Sequence, residues 1–103
     1  MDRVEKLKEY LKTNVKDSFL QHALALEYIK SGNDDEAKNL FTEILLREPT
    51  YIGSYYHLAK LLERNNDTEE AIKIYETGME QAKNAGDNHS YNELQAAYED
   101  LAS

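Results

Sequence analysis

The stretch at residues 33–49, NDDEAKNLFTEILLREP, returns at residues 67–83 as DTEEAIKIYETGMEQAK. Asn33 answers Asp67, Glu36 answers Glu70, Ala37 answers Ala71, Leu40 answers Ile74 and Phe41 answers Tyr75, each pair 34 residues apart. Self-similarity at a fixed period of this length marks a repeat array, in which each unit buries its apolar face by stacking on the next. Within both copies the apolar residues fall three and four apart, which is helical spacing. Each copy opens on Asn or Asp with Glu three residues on, an arrangement close to a capping box. Pro49 ends the first copy, because the residue before a proline is pushed out of the helical region. Lys83 stands there in the second, which is expected to continue to Ala85 before Gly86 and Asp87 break it.

Working outward, Val4, Leu7 and Leu11 place an amphipathic helix over residues 2–13. Leu7 lies one period before Phe41, so this segment reads as the second helix of a pair, with Arg3 where Ala37 and Ala71 stand later. Asp17 or Ser18 caps a helix over 18–30 with Leu24, Ala25 and Tyr28 on one face, stopped at Ser31-Gly32, where glycine supplies a left-handed residue. A helix over 52–64 sets Tyr55, Leu58, Ala59 and Leu62 on its core face and is expected to fray at Asn65-Asn66. The last, over 88–102, carries Tyr91, Leu94, Ala97, Tyr98 and Leu101. No segment joins period-two alternation to hairpin chemistry, so the expected fold is all-α with about six helices.

The 103 residues contain no cysteine, which removes disulfides, thiolate metal sites and thiol nucleophiles together. The net charge of −8 is unevenly spread: residues 1–16 carry five basic and three acidic side chains, residues 65–103 two and nine. An anionic surface repels phosphate backbones and acidic lipid, so neither nucleic acid nor membrane is an expected partner. The charged amino terminus, MDRVEKLKEYLK, lacks the apolar core of a secretory signal, and the cytoplasm is the default placement.

The repeated residues resemble the tetratricopeptide repeat, with its W-x2-L-G-x2-Y, A-x3-F and P positions. The first copy reads Gln21, Leu24, Ala25, Tyr28, then Ala37, Phe41, then Pro49; the second reads Tyr55, Leu58, Ala59, Leu62, then Ala71, Tyr75, then Lys83. With two residues inserted at the Gly86 turn, the last helix reads Tyr91, Leu94, Gln95, Tyr98. Gln21 departs from the pattern's aromatic and Gln95 from its small residue. The resemblance implies one domain, a right-handed superhelical array of antiparallel helix pairs: an amino-terminal capping helix over 1–16, repeats at 18–51 and 52–85, and a partial repeat over 86–103. Ala25, Ala59, Ala37 and Ala71 are small where paired helices come close, with Phe41 and Tyr75 filling the space beyond. Gly78 costs a helix interior about 1 kcal/mol relative to alanine, which implies that a backbone, that of the last helix, packs against it. On this reading Gly78→Ala is tolerated and Gly78→Leu is not.

In such proteins the first helix of each pair lines a concave, peptide-holding surface. By position that surface falls on His22, Leu26 and Lys30, then on Tyr56, Lys60 and Arg64, with Phe19, Tyr51 and His57 flanking it. The competing reading makes Phe19 and Leu26 core and the cations merely solvated. Some members grip a C-terminal carboxylate with Lys, Asn and Arg; those positions fall here on His22, Leu26, His57, His89 and Glu93, so that clamp is absent. His22, His57 and His89 lack metal-ligand spacing, and no phosphate loop or nucleophile motif is present, so neither cofactor, metal nor catalysis is expected. The function expected is non-catalytic binding of a peptide or protein segment. The alternative is homo-oligomerisation, a homodimer through Tyr91, Leu94, Tyr98 and Leu101.

Overall fold

The structure, a computed structural model, describes residues 2–103; Met1, the first residue of the expected capping segment, lies outside them. The described residues form six helices and no strand: α1 (Arg3–Thr13), α2 (Ser18–Lys30), α3 (Asp34–Arg47), α4 (Gly53–Arg64), α5 (Thr68–Ala85) and α6 (Asn88–Ala102). None of them is long and apolar enough to cross a membrane. The chain divides into two compact units, residues 1–48 and 49–103.

In the first unit α2 packs against both α1 and α3. Leu7, Leu24, Ala25, Ala37, Phe41 and Ile44 are its buried apolar residues. Leu7 is buried where its period predicts, and Ala25 and Ala37 have no exposed surface at all. Tyr28 is only half-buried, and the Lys8 ammonium lies 5.9 Å from its ring centre. In the second unit α5 packs between α4 and α6. Tyr55, Leu58, Ala59, Leu62, Ala71, Tyr75, Ala82, Leu94 and Ala97 are buried there, joined by Leu61 and Ser54, which widen the α4 stripe beyond the expected face.

The helix ends correct two expectations. Helix α4 does not fray: Asn66 takes φ +66°, the left-handed state that Gly32 takes one period earlier at φ +80°. Asparagine tolerates this conformation better than other non-glycine residues. Both turns close identically, with Asn33 N–H donating to the Tyr28 carbonyl and Asp67 N–H to the Leu62 carbonyl, each at 2.8 Å. That closure explains why no capping box forms. The box would satisfy the N-cap N–H with the following glutamate, and here that N–H is already spent. Neither Asn33 nor Asp67 makes a side-chain cap bond; the Asn33 amide donates to Ser31 Oγ instead. Side-chain caps form at the other helix starts: Asp2 accepts from Glu5 N–H, Asp17 from Leu20 N–H and Asp87 from Ser90 N–H, the last although its own N–H closes the same kind of turn on the Ala82 carbonyl at 2.9 Å. Helix α3 stops at Arg47, with Glu48 out of the helical region at φ −132°, ψ 80° ahead of Pro49.

Gln21, where the repeat pattern has an aromatic, is 4% exposed and fully engaged. Its Nε2 donates to Glu43 Oε1 at 3.1 Å and its Oε1 accepts from Arg47 Nη2 at 2.6 Å. The same Nη2 donates to the buried Ser18 hydroxyl at 2.7 Å. Arg47→Ala therefore leaves two buried polar groups short of a donor, which costs about 1–3 kcal/mol. Urea unfolding is expected to register that loss, and adding Gln21→Leu to Arg47→Ala is expected to restore part of it.

Gly78 is tighter than expected. A Cβ built there falls 2.7 Å from Tyr55 Cβ and 2.9 Å from Tyr55 Cγ, with Leu94 Cδ1 at 3.1 Å. The neighbour is thus the stem of Tyr55 on α4 ahead of any part of α6, and the expectation that alanine is tolerated is overturned, because a side-chain stem cannot swing aside as a flexible tip can. Overpacking costs about 1–3 kcal/mol, which outweighs the gain of about 1 kcal/mol from better helix propensity. Gly78→Ala is expected to lower the melting temperature by about 4–8 °C, with Gly78→Leu lower still; a rise on Gly78→Ala would show that Tyr55 yields.

Candidate functional site

The residues expected at the binding face divide between the units, and each set is described in its own. On α2, Phe19 is 71% exposed, so it is not core. His22 sits edge-on to the buried Phe41 ring, centroids 5.5 Å apart, and Leu26 is half-buried. Lys30 is exposed but paired with Glu27 at 3.2 Å, and Glu27 also meets Arg3 at 3.4 Å. Two cations on one carboxylate leave this end of α2 less basic than its sequence implies.

On α4 the residues converge. Tyr56 and His57 meet edge-to-face with centroids 5.7 Å apart, and the Lys60 ammonium lies 5.7 Å from the Tyr56 ring centre. Lys60 also pairs with Glu63 at 3.7 Å. Glu63 accepts the hydroxyl of buried Tyr75. Burial first, then this bond to an anion, pushes the Tyr75 pKa far above that of an ordinary tyrosine, so it stays a donor. Core and surface are thereby chained as Tyr75, Glu63, Lys60 and Tyr56. Tyr51 is half-buried in the turn before α4, and Arg64 is exposed at its end. Glu63 escaped the sequence reading, although its place three residues after Lys60 was a usable signal.

His57 is half-buried, which lowers its pKa below 6.5, while the negative charge of Glu93 on α6 partly restores it. His57 and Glu93 are equivalent positions on successive first helices once the two residues inserted at Gly86 are allowed, so the repeat brings them to one face of the second unit. Of the other expected contacts, Leu94 is 1% exposed, packed against the α5 position of Gly78. It belongs to the core and is withdrawn from any dimer surface. Tyr91, Tyr98 and Leu101 stay half-exposed. Among the described residues no group of three His, Cys, Asp or Glu side chains is placed to hold a metal ion.

The family model for the tetratricopeptide repeat matches residues 28–98. The chain belongs to the tetratricopeptide repeat family. A solved tetratricopeptide repeat domain protein from Salinibacter ruber is 41% identical, with 82% of this chain and 86% of that one covered and a TM-score of 0.80. A Bordetella parapertussis protein is 26% identical over 99% of this chain and 89% of its own, at a TM-score of 0.85. The TPR2B domain of yeast Sti1, solved as a complex with pHsp70, shares the fold at 15% identity, with 96% and 79% covered and a TM-score of 0.88. No curated protein matches the chain. Tetratricopeptide repeat domains are protein–protein interaction modules and are typically non-catalytic.

The sign of the His57 shift is testable. A histidine with a depressed folded pKa binds its proton more readily when unfolded, so it erodes stability as the pH falls through 6.5. An NMR titration of the His57 ring is expected to centre below 6.5, and Glu93→Gln to move it lower still by removing the opposing charge. A midpoint that does not move would place Glu93 too far away to act.

Proposed function

We propose that this tetratricopeptide repeat chain binds a peptide or protein segment on the outward faces of its first helices, α2 and α4. The observation that carries this is the α4 cluster, where Tyr56, His57 and Lys60 are fixed against one another and half-exposed. Aromatic and cationic groups immobilised before binding lose little conformational freedom on contact, which is how a few side chains come to dominate an interface. Phe19 on α2 adds an aromatic ring held in water.

The yeast Sti1 domain of the same fold is complexed with pHsp70. The carboxylate-gripping positions of such domains are His22, Leu26, His57, His89 and Glu93 here. His57 is kept neutral near pH 7 by its lowered pKa, and Glu93 repels a carboxylate. The segment bound on the α4 face is therefore an internal stretch with an apolar or aromatic side chain for Tyr56, not a free C-terminus.

Selection from a displayed library of internal peptides on the intact protein tests this. Tyr56→Ala, Lys60→Ala and Arg64→Ala combined are expected to weaken the selected peptides about 100-fold or more with helicity unchanged. Undiminished binding by the triple variant would refute the site, and enrichment only of peptides ending in a free carboxylate would refute the specificity.

A further inference from the structure

Within the second unit a second surface lies on the α5–α6 side, formed by none of the α4 residues named above. Glu76, Met79, Glu80 and Lys83 from α5 and Tyr91 and Tyr98 from α6 line an open cleft of about 310 Å³. Its floor is aromatic and thioether, its rim mostly acidic, and the Tyr98 hydroxyl donates to Glu76 at 3.3 Å. A cleft between two helices with apolar floor and charged rim fits an amphipathic helix of opposite charge.

Such a helix exists in the chain itself. Helix α1 carries Arg3, Lys6, Lys8 and Lys12 against Glu5 and Glu9. The repeat period makes it a second helix: Arg3, Lys6 and Tyr10 stand where Ala37, Leu40 and Ile44 stand in α3, and Ala71, Ile74 and Gly78 in α5. In α3 and α5 the first and third of these positions are buried. In α1 they are exposed, Tyr10 by 51%. Helix α6 is the opposite case, a first helix whose Tyr91 corresponds to Tyr55, the residue that meets Gly78 on α5. Each helix thus shows the face that the other type covers.

We infer that the α5–α6 cleft of one copy receives α1 of a second copy, so that α6 and the incoming α1 complete a helix pair between molecules. Tyr10 of the incoming helix then faces Tyr91, as position 78 faces Tyr55 within the chain. The incoming α1 lies between the other copy's α6 and its own α2, as α5 lies between α4 and α6. The contact is head-to-tail, so it closes into a ring or extends into a chain of copies, and it uses none of Phe19, Tyr56, His57 and Lys60.

The absence of cysteine from the chain makes a clean test possible. A Tyr10→Cys variant and a Tyr91→Cys variant, mixed under mild oxidation at low salt, are expected to give a disulfide-linked dimer containing one of each. The yield should exceed by about tenfold that of Tyr10→Cys mixed with Thr77→Cys, an exposed collision control, since a disulfide needs Cβ atoms within about 4.5 Å. Adding Glu76→Lys and Glu80→Lys to the Tyr91→Cys chain should cut the yield to the control level. Sedimentation of the unmodified protein is expected to show mass rising with concentration past the dimer and falling with salt. Cross-linking of Tyr91→Cys to itself as readily as to Tyr10→Cys would overturn the head-to-tail pairing. So would a mixed yield no better than the control, or an unmodified protein that stays monomeric at hundreds of micromolar in low salt.

Discussion

Gly78 has no room for a methyl group, and much of the second unit follows from that closeness. With a built Cβ only 2.7 Å from Tyr55 Cβ, α5 approaches α4 at the distance a bare backbone permits. Ala59 on α4 and Ala71 on α5 are fully buried, the same economy repeated along the contact. Dispersion and apolar burial both fall off steeply with a gap, so small residues at the crossing let the larger ones beside it, Tyr75, Leu58 and Leu62, seat without voids. One face of each first helix is consumed in this way. What remains for chemistry is its outward side, and on α4 that side holds Tyr56, His57, Lys60 and Arg64.

Much of this was legible because a repeat writes its geometry twice. Residues 34 apart that agree in size must sit in equivalent surroundings, so Ala37, Ala71, Phe41 and Tyr75 could be placed as core from the string alone, and all four are fully buried. The helix ends were harder. Whether Asn33 and Asp67 form capping boxes depends on what their own N–H groups do, and those are claimed by carbonyls five residues back, at Tyr28 and Leu62. Local sequence shows the competing groups without showing which bond closes first. Asn66 was misread as a fraying end because its kinship with Gly32 lies in backbone conformation and not in residue type. Gly78 was recognised as a close approach, but its severity depends on which atom of the neighbour faces it.

The binding face was legible as positions and not as electrostatics. Counting charges made Lys30 and Lys60 alike, yet Lys30 shares Glu27 with Arg3, whereas Lys60 bridges an aromatic ring and a carboxylate anchored to the core through Tyr75. A surface ion pair alone contributes little; its value at Lys60 is to hold the ammonium beside Tyr56 before any partner arrives. Gln21 carries the complementary lesson. It stands where the repeat pattern has an aromatic, and burial of a side-chain amide there is tolerated because its oxygen and nitrogen are both paired, with Arg47 and Glu43 supplying those partners from the facing helix.

The uneven charge along the chain bears on how copies meet. At a net charge of −8 two molecules repel on average. Beyond a Debye length of about 8 Å at physiological salt only the facing surfaces matter, and these differ by end. Tail-to-tail contact of two α6 helices would bring together Glu93, Glu99 and Asp100 of each copy with no lysine or arginine on either helix, a like-charge juxtaposition whose cost reaches several kcal/mol. Contact of the acidic tail with the first 16 residues, five basic against three acidic, reverses that sign locally while the rest of the two surfaces is screened. Electrostatics therefore discriminates between the two arrangements before any side chain packs, and it does so in favour of the pairing that the repeat period selects on independent grounds.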